Sequence, residues 1–137
     1  MLIDSNILIY SINTDSPKHK KSQQFLQENL RNLEIAHQNI LETIRVLTHQ
    51  KFSNPMSLDM ALTATQAITQ SCRIISPTQT SYYLFLELIK KHNLVGNRIF
   101  YAYLAATALS NGIATIATDN VSDFKKFQGL RIINPFF

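Results

Sequence analysis

The chain has 137 residues, 45% hydrophobic and 16% charged, enough to bury the core of one globular domain over 1–137 without disulfides or structural metal. Thirteen Lys and Arg against nine Asp and Glu give a net charge of +4, a mild excess that identifies no partner by itself. The single cysteine, Cys72, excludes an intrachain disulfide and a zinc site of several thiolates and suits a cytoplasmic setting, and the lack of a basic leader or of about 18 consecutive apolar residues predicts no signal peptide and no membrane span.

Met1 to Asp4 begins as a short apolar strand that stops at Asp4-Ser5-Asn6, and Ser16-Pro17 resembles an N-cap followed by proline at the first helical position, opening a helix over roughly 17–30. Leu33 to Ala36 reads as a second strand. Ile40, Leu41, Ile44 and Leu47 recur at helical spacing between Asn39 and Lys51 and predict a buried face. Ser57 is placed to cap a third helix with Leu58, Ala61, Leu62, Thr65 and Ile68 on one side, ahead of a strand at Arg73-Ile74-Ile75. Helices follow over 78–91 and about 98–110, the latter stopping at Asn111-Gly112. Ile113 to Ile116 is a β-branched strand running into Thr118-Asp119, and Leu130 to Ile133 is the last strand. Short apolar strands alternating with longer helices imply a three-layer α/β fold, a parallel central sheet flanked by helices. Three glycines in the whole chain leave no glycine-rich phosphate loop.

Asp4 falls just past the first strand and Asp119 just past the fourth, so a parallel sheet brings both to its carboxyl edge, where ligand sites open. Either alone reads better as a turn or cap aspartate, which is common at strand exits. Together with Ser5, Asn6, Thr118, Asn120 and Asp123 they supply hard oxygen donors of the kind Mg²⁺ or Mn²⁺ prefers. Glu42 lies near the start of an otherwise apolar helical segment, where helix-dipole stabilisation or a pair with Arg45 is the alternative role. Clustered carboxylates raise one another's pKa, and a cation would hold them ionised. If Asp4, Glu42, Asp119 and Asp123 share a cleft, five of the nine acidic side chains remain outside it against 13 Lys and Arg, a balance that attracts phosphate backbones.

Four segments carry a recognisable pattern. Leu2-Ile3-Asp4-Ser5-Asn6-Ile7-Leu8-Ile9-Tyr10 and Leu41-Glu42-Thr43-Ile44-Arg45-Val46-Leu47-Thr48 resemble the first and second motifs of PIN-domain nucleases. The segment from Gly96 to Ala106 resembles the third, Thr118-Asp119-Asn120-Val121-Ser122-Asp123-Phe124 the fourth, and the closing Gly129 to Pro135 the tail of a VapC-type toxin subgroup. The resemblance spans essentially the whole chain and implies a PIN-like fold and a metal-dependent endoribonuclease, paired with an antitoxin and often homodimeric. Carried over, it makes Asp4, Glu42 and Asp119 ligands of Mg²⁺ or Mn²⁺, directly or through water, with Asp123 a fourth carboxylate and Ser5, Asn6 and Thr118 supporting them. Metal-activated water would attack the RNA phosphodiester.

The family's third acid is replaced here by Tyr101, and no acid lies between Glu87 and Asp119 to take its place. A phenol with a pKa of roughly 10 is neutral at pH 7, so metal affinity and catalysis are both expected to fall. The competing reading is a non-catalytic PIN-like module that binds RNA or a protein partner. Arg45 and Arg98 are the candidates for RNA phosphate contacts. His19, His37, His49 and His92 show no ligand spacing, and Lys18, Lys20 and Lys21 read as a solvated basic start to the first long helix.

Overall fold

The computed structural model describes residues 1–137. In chain order the elements are β1 (Leu2–Ile3), α1 (Ser5–Ile12), α2 (His19–Glu28), β2 (Glu34–Ala36), α3 (His37–Thr48), α4 (Leu58–Thr69), β3 (Arg73–Ile75), α5 (Gln79–Lys91), α6 (Arg98–Ser110), β4 (Thr115–Ala117), α7 (Val121–Phe124) and β5 (Arg131–Ile133). The five strands form one sheet in the order β3-β2-β1-β4-β5, and every neighbouring pair is parallel.

Each strand is only two or three residues long, so alternation within it decides the layering. Leu2, Ala36 and Ile116 belong to one buried cluster with Ala102, Leu104, Ala105, Ala106 and Ala108 of α6 and with Phe124 and Phe127. Ile3, Ile35 and Ala117, one residue away on the same strands, belong to the other cluster with Ile7 and Leu8 of α1 and Leu26 of α2. The sheet is thus sandwiched between two helical layers. The alanines of α6 let that helix lie close against the strands, and Gly112, at φ +73°, follows it where a residue with a Cβ is disfavoured.

Two helices depart from the expected pattern. The sequence reads as stopping at Asp4-Ser5-Asn6, but α1 starts there, because Asp4 is its N-cap and accepts from the Ser5 N–H at 2.8 Å. The short α7 was not anticipated. Two apolar positions expected on buried faces also lie outside: Leu41 of α3 and Leu58 of α4 are 70% and 60% exposed. Asn39 and Thr43 take the buried side of α3 instead. Thr43 is stabilised there by donating to the Asn39 carbonyl at 2.7 Å. No helix is long and apolar enough to cross a membrane.

Candidate active site

The sheet order places a topological switch between β1 and β4: the chain moves outward from β1 through β2 to β3, then returns to β4 and moves outward on the other side to β5. A crevice opens at the carboxyl ends of the strands that flank such a switch. Ile3 and Ala117 are partners in register, so Asp4 and Thr118 are the next residues on each side of the crevice. The Asp4 N–H still donates to the Ala117 carbonyl at 3.0 Å, which ties the acid to the last rung of the sheet.

Asp4 is 5% exposed and heavily hydrogen-bonded. Its Oδ1 accepts from the Ser5 N–H at 2.8 Å, and its Oδ2 accepts from Thr118 Oγ1 at 2.6 Å and Asn6 Nδ2 at 3.1 Å. Asn6 also accepts from the Asp119 N–H at 3.4 Å, so one amide side chain spans the two strand ends. Ser5 carries the network to the next element: its Oγ donates to Glu42 Oε2 at 2.9 Å and accepts from Asn39 Nδ2 at 3.2 Å. Asn39 itself caps α3 by accepting from the Ala36 N–H at 3.3 Å.

Burial pushes the Asp4 carboxyl up to about 6, hydrogen bonds from Thr118 and Ser5 pull against that, and the charges of Glu42 and Asp123 add to the rise. These three carboxylates therefore share a common field. Tyr101, on the first turns of α6, lies in the same field. Burial and then the charges of Asp123, Asp4 and Glu42 raise its phenol above the ordinary value, so at pH 7 it is a neutral group among acids. Its ring meets Phe124 edge-on at 5.3 Å between centroids, which braces α6 against α7.

The cleft itself holds about 840 Å³ and runs between α3 and α6. Asp4, Glu42, Arg45 and Tyr101 line it, along with Gln38, Leu41 and Phe100. Gln38 bridges the two helices by donating to the Phe100 carbonyl at 3.1 Å. Arg45 is exposed on the α3 wall, whereas Arg98, also exposed, opens α6 outside the lining.

Asp119 is engaged elsewhere. Its Oδ2 accepts from Lys18 Nζ in an ion pair and from the Tyr10 hydroxyl at 3.0 Å. Burial would raise its carboxyl, but the hydrogen bonds from Lys18 and Tyr10, the Lys18 charge and a hydrogen bond with Asn134 outweigh burial and hold it below the usual range. Lys18 and Tyr10 thus engage Asp119 beside the crevice, although the sequence presents Lys18 only as one of three lysines within four residues. A Ser16 Oγ contact to the Lys18 N–H at 3.2 Å marks the turn that aims this lysine inward.

The PIN domain matches residues 1–130. The chain belongs to the PIN-domain family. Among its relatives, the Mycobacterium tuberculosis ribonuclease VapC37 is 27% identical over 140 residues, covering 98% of this chain and 96% of the relative. Ribonuclease VapC24 of the same species is 26% identical over 144 residues, covering 97% and 94%. Solved structures of the same fold include the toxin–antitoxin complex VapBC2 of Rickettsia felis bound to a promoter DNA fragment, at TM-score 0.75, 17% identity and coverage of 97% and 96%. Another is Mycobacterium tuberculosis VapC20, described as a toxin cleaving the sarcin–ricin loop, at TM-score 0.71, 15% identity and coverage of 95% and 98%.

A PIN fold raises the question of a divalent ion, and the side chains answer it in part. No three acidic, histidine or cysteine side chains converge so as to hold one metal ion. Tyr101 occupies one position where a carboxylate is expected, and Lys18 covers the carboxylate of Asp119. What remains is Asp4 and Glu42 on the cleft, with Asp123 acting on Asp4 through its charge. Two carboxylates suit Mg²⁺, which keeps several waters and takes substrate phosphate oxygens as further ligands; they do not make an all-protein cage.

Proposed function

We propose that this chain is the nuclease partner of a toxin–antitoxin pair, hydrolysing RNA phosphodiesters with Mg²⁺ or Mn²⁺, with its activity curtailed by Tyr101. The observation that carries the reading is the shared field of Asp4, Glu42 and Asp123 at the switch between β1 and β4, an arrangement that costs stability and that a cation would relieve. The VapC ribonuclease relatives and the toxin–antitoxin complexes among the structural neighbours support the same conclusion.

In this reading Asp4 and Glu42 hold the ion directly or through water, Ser5, Asn6 and Thr118 fix the orientation of those carboxylates, and Arg45 receives a phosphate on the α3 wall. A bound ion would supply Lewis acidity at the phosphate and lower the pKa of a bound water. The antitoxin would cover the cleft, and the active species would be a homodimer; sedimentation of the chain alone and with its partner measures both.

The second reading, a binding module that does not cut, is favoured by Tyr101 and by the engagement of Asp119 with Lys18. Cleavage of a mixed RNA substrate by the chain, by Asp4→Asn and by Glu42→Gln, with and without chelator, distinguishes them. Chelator-sensitive cleavage that both substitutions abolish supports the nuclease. Salt-sensitive RNA association with no cleavage under any metal supports the module.

A further inference from the structure

We propose that Lys18 is the resident cation on the β4 side of the crevice between β1 and β4, its ammonium fixed on Asp119 so that this carboxylate positions a lysine and does not serve as a metal ligand. The inference deepens the reading of the cleft as a divalent-cation site, and it assigns that site to Asp4 and Glu42 alone.

The clamp on Lys18 is built from three separate parts of the chain. Asp119 follows β4 and supplies the counter-charge. Tyr10, from α1, donates to the same Asp119 oxygen at 3.0 Å and places its ring 5.2 Å from the ammonium. Phe136, from the segment after β5, lies on another side, its ring centroid 4.9 Å from Lys18 Nζ and 5.6 Å from the Tyr10 ring in an edge-on pair. Asn134 accepts from the Phe136 N–H at 2.9 Å, which fixes the turn that carries the aromatic wall. An ammonium in contact with a carboxylate and two aromatic faces is held by both ion pairing and cation–π attraction.

The exposure of the two partners sets the consequence. Asp119 is 15% exposed at its side chain and Lys18 37%, so the lysine lies between the acid and water. A hydrated divalent ion reaching Asp119 would have to displace the ammonium and the Tyr10 hydroxyl hydrogen bond together. Asp4 has no comparable basic partner: its donors are the Ser5 amide, Asn6 and Thr118, all neutral. A basic side chain therefore neutralises the acid on one side of the switch, whereas Asp4 on the other side is held by neutral donors and has the neutral Tyr101 in its field. The centre is set for one divalent ion at most.

Lys18→Met keeps an unbranched stem against Tyr10 and Phe136 while removing the charge. Mn²⁺ binding to the full chain, followed by calorimetry and by electron paramagnetic resonance of free Mn²⁺, is measured for the parent, Asp119→Asn, Lys18→Met and the double variant, with folding checked by circular dichroism. The expected result is unchanged Mn²⁺ affinity in Asp119→Asn, and an additional ion bound by Lys18→Met that the double variant loses. Loss of affinity by about tenfold or more in Asp119→Asn, the size expected for a residue coupled to a bound metal, would overturn the proposal. No additional ion in a folded Lys18→Met, or in Lys18→Gln should the first variant not fold, would overturn it equally. If the parent binds no Mn²⁺, the cleft reading fails, while gain or no gain in the lysine variants still decides the role of Lys18.

Discussion

Thr118 Oγ1 donates a 2.6 Å hydrogen bond to Asp4 Oδ2 across the crevice between β4 and β1. The bond favours the ionised form of Asp4, yet burial and the charges of Glu42 and Asp123 still leave this carboxyl at about 6. Function, on the proposed reading, needs the anion that the fold disfavours.

That conflict has a pH signature. The folded state holds the Asp4 proton more tightly than the unfolded chain, whose carboxyl has the ordinary value of 3.8. Between about pH 4 and pH 6 the native state therefore binds more protons, and the Asp4 contribution to stability falls as pH rises through that window. Asp4→Asn removes the effect and is expected to be more stable than the parent by up to about 3 kcal/mol at pH 7.5, with little gain near pH 4. Urea unfolding at both pH values measures the difference. A gain of equal size at both would assign the effect to packing and not to ionisation.

Asn39 is fully buried and links α3 to the site, accepting from the Ala36 N–H and donating to Ser5 Oγ. Asn39→Ala removes the cap and leaves Ser5 without one of its partners, and is expected to cost about 1–3 kcal/mol. Because Ser5 Oγ is the group that donates to Glu42, the same variant is expected to weaken any metal binding at Asp4 and Glu42. Unchanged denaturation midpoints would show that the buried amide contributes nothing.

Much of this architecture was legible in the sequence because its signals were local. The strand at Arg73-Ile74-Ile75 and the helix from Arg98 to Ser110 fall where β-branched residues, alanines and Asn111-Gly112 place them. The helix α1 was not legible as such, since Asp4-Ser5-Asn6 reads equally as a turn and as a cap, and only the position of Asp4 at the end of a two-residue strand decides between them. Likewise Leu41 obeys helical spacing but faces the cleft, where an apolar wall serves a surface and not the core. Motif order grouped Asp4, Glu42 and Tyr101, and all three line the one cleft. The pairing of Lys18 with Asp119 depends on a contact 101 residues apart and on an aromatic residue near the end of the chain, and periodicity carries no such information.

Arg45 is exposed on the cleft wall beside Glu42, and on the proposed reading it is the residue that meets an RNA phosphate. Association with a labelled single-stranded RNA is expected to weaken steeply with salt, and Arg45→Ala is expected to reduce the slope of log K against log salt by about 0.7, the contribution of one phosphate contact. Arg98→Ala, outside the lining, is expected to change it less. Fluorescence anisotropy across a salt series provides the slopes. Association independent of salt, or none at low ionic strength, would remove the case for an RNA-facing surface.

Tyr101→Asp tests whether one side chain accounts for the missing part of the centre. The substitution places a fourth carboxylate in the field of Asp4, Glu42 and Asp123 and removes the ring that meets Phe124. In chelator the variant is therefore expected to be less stable than the parent, by about 2–4 kcal/mol from lost packing and added repulsion. Mn²⁺ is expected to return part of that stability, because an ion bound only by the folded state raises its free energy of unfolding in proportion to RT ln(1 + [Mn²⁺]/Kd). The same field that destabilises the metal-free variant holds the ion, so the stability recovered and the cleavage gained are predicted to rise together with Mn²⁺ concentration. Thermal unfolding and cleavage of a mixed RNA substrate, each read across a Mn²⁺ series, are compared for the parent, Tyr101→Asp, and Tyr101→Asp carrying Asp4→Asn. The expected order is strongest metal response in Tyr101→Asp, weaker in the parent, and least in the double variant. A folded Tyr101→Asp with no chelator-sensitive cleavage above the parent would favour the binding module. A parent that already cuts as fast, with Asp4→Asn abolishing the activity, would show that the remaining carboxylates suffice and that the tyrosine does not curtail the reaction.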